Sequence, residues 1–66
     1  MEIVVNDEPR QTVAAITVAG LLQELGINSR FLAVERNGQI VPRRDYADCN
    51  LQEGDRLEIV TLVGGG

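Results

Sequence analysis

"TVAGLLQELGI", residues 17–27, is the stretch on which the fold turns. Val18, Leu21, Leu22 and Leu25 recur at i, i+3, i+4 and i+7, which sets them on one stripe of a helix. Thr17 is a good N-cap, because its hydroxyl can accept an N–H from the first turn. Ile16 and Leu21 occupy the two apolar staple positions that flank such a cap. Gly26 stands where a helix closes in the left-handed conformation, and Ile27 can fold back on Leu22. Gly20 is unfavourable by roughly 1 kcal/mol relative to alanine, so packing rather than propensity must hold the segment. The spacing predicts one core helix of about nine residues.

Everything around that helix has strand or turn character. Met1 to Val5 alternate weakly, with Met1, Ile3 and Val5 on one side and Glu2 and Val4 on the other. Asn6 to Pro9 supplies four turn formers, Pro9 is expected to end the ladder, and Arg10 to Ala14 is expected to return as a second strand. Downstream, "FLAVERNGQIV" (31–41) reads as two strand-like runs joined by Asn37-Gly38. Asn-Gly is the strongest short hairpin signal, since both residues tolerate the positive φ of a type I′ turn. Pro42 ends the second arm. "RRDYADCN" (43–50) is polar, with Tyr46 its one large apolar body and room for a single helical turn. Glu53-Gly54-Asp55 makes another turn, and Arg56 to Val63 is the closing strand.

In 66 residues, only the sheet can cover the helical stripe. A chain of this size buries only about 60% of its unfolded surface, so two layers are all it can build. The expected fold is α+β: a β-grasp, or ubiquitin-like, arrangement with a mixed four- to five-stranded sheet curled around one main helix. It implies a right-handed crossover through the helix and a last strand lying centrally, beside the first. Residues 1–63 form the domain on this reading, and 64–66 a flexible glycine tail.

The chemistry is confined by what is missing. Six arginines face ten carboxylates, for a net charge of −4, and there is no lysine. That balance opposes a nucleic-acid surface, which needs clustered cations, and the adjacent Arg43 and Arg44 fit a solvated surface. No apolar run is long enough to cross a bilayer, and the amino terminus lacks the form of a secretion signal. The single Cys49 has no thiol or histidine partner for a disulfide or a metal, which fits a reducing cytosol and a cytoplasmic location. Cys49 reads as a small, partly buried residue, and the Asp45/Asp48 pair as a turn surface. Without histidine the commonest general base is absent, and Ser/His or Cys/His nucleophiles cannot be assembled. No catalytic residue and no metal site is expected, so the chain is not read as an enzyme.

The remaining candidate is the tail. Three extended glycines, Gly64, Gly65 and Gly66, reach roughly 10 Å at about 3.3–3.6 Å per residue. Lacking side chains, they can thread a channel that admits only backbone, and they present the α-carboxylate of Gly66. A carboxylate is a poor electrophile until another enzyme activates it, for instance as an acyl-adenylate. On glycine content alone, a presented arm and a frayed chain end fit equally well.

The combination of motifs is more specific. A β-grasp order ending on Gly-Gly, with "TVAGLLQELGI", "VERNGQIVPR" followed by Tyr46, and "LQEGDRLEIVTLVGGG", resembles the ThiS family of thiamine-biosynthesis sulfur carriers from Val4 onward. The molybdopterin-synthase small subunit shares the final Gly-Gly and the Gly-Asp turn, but commonly has prolines where this chain has Thr61-Leu62-Val63. The resemblance implies a carrier and co-substrate, with no permanently bound cofactor. A ubiquitin-activating-enzyme-like adenylyltransferase (ThiF type) would use ATP and magnesium to adenylate Gly66. A cysteine desulfurase or persulfide protein would supply sulfur, leaving a 1-thioglycine thiocarboxylate for thiazole synthase (ThiG type). A carrier for molybdopterin or another sulfur-transfer pathway, and a non-catalytic ubiquitin-fold interaction domain, remain the alternatives.

Such a carrier needs a face its partners recognise. If Leu57 and Ile59 point to the helix, then Glu58, Val60 and Leu62 point away from it. If Leu32 and Val34 pack inward, Ala33 and Glu35 join that outer face. An exposed apolar cluster ringed by charge is a common docking signature. The missing lysines suit the same role, since a lysine amine could attack the activated carboxyl.

Overall fold

The structure, a computed structural model, describes residues 1–61, apart from the side chain of Ser29. Leu62 to Gly66, and with them the end of the expected closing strand and the glycine tail, lie outside the described residues. Five strands and one helix follow in the order β1 (Glu2–Val5), β2 (Glu8–Gln11), α1 (Val18–Leu25), β3 (Leu32–Arg36), β4 (Gln39–Val41) and β5 (Arg56–Thr61). The sheet order is β2-β1-β5-β3-β4, so the last strand in sequence is central. It runs parallel to β1 and antiparallel to β3, making the sheet mixed, as expected.

Helix α1 closes at both ends with its own side chains and backbone. The Thr17 hydroxyl accepts the Gly20 N–H at 3.0 Å. Gly26 sits at φ 72°, its N–H donating to Gln23 O and the Ile27 N–H to Leu22 O. This double bond pattern is a Schellman closure, which satisfies carbonyls that a helix end otherwise leaves orphaned. Val18, Leu21 and Leu22 are buried, whereas Leu25 is only partly covered. The core joins them to Ile3, Leu32, Val34, Val41, Leu57 and Ile59 from the sheet, and to Ile16, Tyr46 and Leu51.

The 43–51 segment is more tightly held than its polarity suggests. A short 3-10 turn spans Arg43–Asp45, and Tyr46 behind it is buried. Carbonyls of this segment accept the free donors of the helix start: Val18 N–H donates to Cys49 O and Ala19 N–H to Tyr46 O, each at 3.0 Å. Leu51 N–H returns a bond to Ile16 O at 2.8 Å, an isolated bridge beside Thr17 and Asn50. The first-turn donors of α1 are therefore met by tertiary bonds as well as by Thr17.

The amino-terminal hairpin departs from expectation. Its turn is two residues long, Asn6 and Asp7, with φ of 50° and 68°, and Glu8 already pairs with Val5. The second strand is Glu8–Gln11 rather than Arg10 to Ala14, and Pro9 lies inside it opposite Val4. Proline is tolerated there because β2 is an edge strand. Val4 turns its N–H toward β5, donating to Asp55 O, so the Val4/Pro9 pair exchanges no backbone bond. The Asn37-Gly38 turn does follow expectation, with φ of 52° and 85°.

Candidate functional site

The two faces of the sheet separate by strict alternation along β3 and β5. Leu32 pairs with Thr61, Ala33 with Val60, Val34 with Ile59, Glu35 with Glu58 and Arg36 with Leu57. Leu32, Val34, Leu57 and Ile59 are buried on the helix side. Ala33, Glu35, Glu58 and Val60 consequently share the outer face, with Val60 53% exposed. The structure thus brings together four of the five expected docking residues, and the fifth, Leu62, is outside the described residues.

One member of this face was not anticipated. Ile40 pairs with Glu35 across β4 and is 65% exposed, so the outer row reads Ile40, Glu35, Glu58 across three strands. The signal was available: an outward Glu35 and a two-residue Asn37-Gly38 turn together fix Ile40 on the same face. The neighbouring row is Ala33 and Val60. Two carboxylates thus face each other between aliphatic groups.

Below this face the tail-bearing strand is held in place by polar clips. The Asn6 amide bonds both backbone groups of Ile59, accepting its N–H at 2.8 Å and donating to its carbonyl at 3.2 Å. In effect the side chain extends the parallel pairing past the end of β1. At the start of β5, Asp55 is 7% exposed. Its carboxylate accepts from Arg36 Nε at 2.9 Å, from Asn37 Nδ2 at 3.1 Å and from Gln52 N–H at 2.9 Å. Burial alone would push the carboxyl up, but the Gln52 N–H, the Asn37 amide and the Arg36 guanidinium together hold it below the usual carboxylate range. Arg36 also places Nη1 3.8 Å from the sulfur of the partly buried Cys49. Among the described residues, no group of three His, Cys, Asp or Glu could hold a metal ion.

A scan against family models matches residues 3–66 to the ThiS family. The chain belongs to the ThiS family. Its fold is accordingly the β-grasp of ThiS proteins. Among ThiS relatives, the sulfur carrier protein ThiS of Escherichia coli is 36% identical, with both chains covered in full. A thiazole synthase of Paramagnetospirillum magneticum is 52% identical across all of this chain, and one of Magnetococcus marinus 44%. The chain spans 20% of the length of each of these two relatives. The crystal structure of the ThiS protein of Geobacter metallireducens superposes with a TM-score of 0.86 at 28% identity, covering 100% of both chains. In the ThiS family at large, the C-terminal carboxylate becomes a thiocarboxylate, and the partners are a ThiF-like adenylyltransferase and a ThiG-like synthase.

Proposed function

We propose that this chain carries sulfur as a thiocarboxylate on Gly66 for formation of the thiazole ring of thiamine, working in the cytoplasm. Residues 1–63 are the recognised body and 64–66 the arm. A ThiF-type adenylyltransferase, with its own ATP and magnesium, joins the Gly66 carboxylate to AMP and releases pyrophosphate. The outer sulfur of a persulfide donor then displaces AMP to give an acyl disulfide, and a second thiol attacks the donor's sulfur, releasing the thiocarboxylate and leaving the donor as a disulfide. Thiazole synthase takes the sulfur in exchange for an oxygen, returning the carboxylate. The observation that supports this reading is the family match, which continues to residue 66 and so includes the terminal glycines.

The carrier itself performs no proton transfer or nucleophilic attack. Its contributions are positional: a rigid sheet holds the strand that leads to the arm, and the outer face of Ala33, Glu35, Glu58 and Val60 docks the partners. Positioning a reacting group is worth large factors in rate, because it removes the entropy of a second encounter. The test is intact mass spectrometry after incubation with the adenylyltransferase, ATP, magnesium, a persulfide donor and a thiol reductant. The expected result is a mass gain equal to replacing one oxygen by sulfur, absent when Gly66 is deleted. Deletion retracts the carboxylate by about 3.5 Å but leaves its chemistry intact. A truncated chain that is thiolated as readily as the full chain would overturn the reading.

A further inference from the structure

We propose that the outer face receives a basic side chain, an arginine or lysine of the adenylating partner, seated between Glu35 and Glu58 with aliphatic contacts to either side. The proposal rests on reading this face as the docking surface, and adds what chemistry the partner must bring. Glu35 and Glu58 are direct register partners on adjacent antiparallel strands. Directly opposed positions hold their Cβ atoms about 4.5–5.5 Å apart, and like charges there are destabilising. Neither carboxylate has a hydrogen-bond or ion-pair partner among the described residues. Arg56, on the same face of β5, is engaged elsewhere, with Nη2 3.2 Å from Asp7 Oδ1. A groove of about 420 Å³ lies between these two groups, bounded by Val4, Asp7, Glu35, Asn37, Arg56 and Glu58. Its charged lining is three carboxylates and one guanidinium already paired with Asp7, which leaves two uncompensated carboxylates for a partner cation to meet.

Two flanks of the carboxylate pair are apolar. Ile40 continues the carboxylate row, while Ala33 and Val60 form the next row, two residues along each strand. That spacing is about 7 Å, close enough for one partner side chain to lie its stem on Val60 and its charge between the glutamates. The face is also within range of the arm. Gly66 is five residues beyond Thr61, at most about 18 Å of extended chain, so a protein holding the terminal carboxyl is within reach of Val60 and of Glu58 two residues back along β5. A second copy of the chain is a poor occupant, because face-to-face pairing would bring four carboxylates together in a chain of net charge −4.

The experiment compares Glu35→Gln/Glu58→Gln with Val60→Ser, using the purified adenylyltransferase of the source organism as the probe. Each carrier is titrated calorimetrically at several salt concentrations, and its thermal midpoint is measured alone. The double glutamine variant is expected to melt no lower than wild type, since opposed charges are relieved. It should bind about tenfold or more weakly at low salt, with a flatter salt dependence. Val60→Ser should weaken binding without flattening that dependence. If Val60→Ser weakens binding and the glutamine variant does not, the cation site is wrong while the docking face stands. If neither variant alters binding, the docking face itself fails. Self-association of the wild-type chain that Val60→Ser abolishes would also overturn the proposal.

Discussion

A Cβ placed on Gly20 would meet Ile16 Cγ1 at 3.1 Å and the capping Thr17 Oγ1 at 3.3 Å. Helix propensity favours alanine there by about 1 kcal/mol, yet the added methyl presses on both the staple and the cap. Gly20→Ala is therefore expected to be no more stable than wild type in urea; a midpoint raised by the full propensity difference would show that Ile16 yields freely. Asp55 carries a different kind of constraint. Its carboxyl is held below its ordinary value, so the stability it contributes is present above the unfolded pKa, about 3.9, and is lost as pH falls through the folded value. Asp55→Asn should lower stability at pH 7 by about 1–3 kcal/mol, from the loss of charge-assisted bonds. Thermal melts should show the gap to wild type closing below about pH 4; a gap constant with pH would mean that charge plays no part. At the tail, Gly65→Val keeps the length but adds a β-branched side chain. Adenylation should fail while the thermal midpoint is unchanged, and full turnover would mean that the partner's channel is wide.

Helix α1 separates two leucines that spacing alone treats alike. Leu22 is 2% exposed, and Leu22→Ala should cost about 2–5 kcal/mol. Leu25 is only partly buried, so Leu25→Ala should cost less, and chemical denaturation of the pair reads the difference directly. Periodicity could reveal the stripe, the cap at Thr17 and the close at Gly26, because these are local. It could not rank Leu25, whose cover depends on what the rest of the chain lays over it. The hairpins show the same division. Asn37-Gly38 announced its turn, whereas Asn6-Asp7 was hidden by Glu8 and Pro9, which look like turn residues until the edge position of β2 is known. Likewise Asp55 and the carbonyls of Tyr46 and Cys49 find partners far along the chain, which no local pattern records.

The whole molecule is organised around β5, which joins β1 on one side to β3 on the other. Leu57, buried at 1% exposure in that strand, is a point where both halves meet, and Leu57→Ala should cost about 2–5 kcal/mol. Unfolding should still be a single transition, with backbone dichroism and the signal of the lone Tyr46 melting together. Separated transitions would mean that the two hairpins hold structure independently. At this scale the division into inner and outer faces was legible from alternation along two strands, and Ile40 escaped only because β4 was not carried through the same register. The central place of β5 also has a mechanical meaning. A pull applied along this strand's axis loads the bonds on both flanks together, in shear. A strand peeled from a sheet's edge would instead lose its bonds one after another. On the proposed reading, the protein can thus be gripped, tugged and released at that end while its body stays folded.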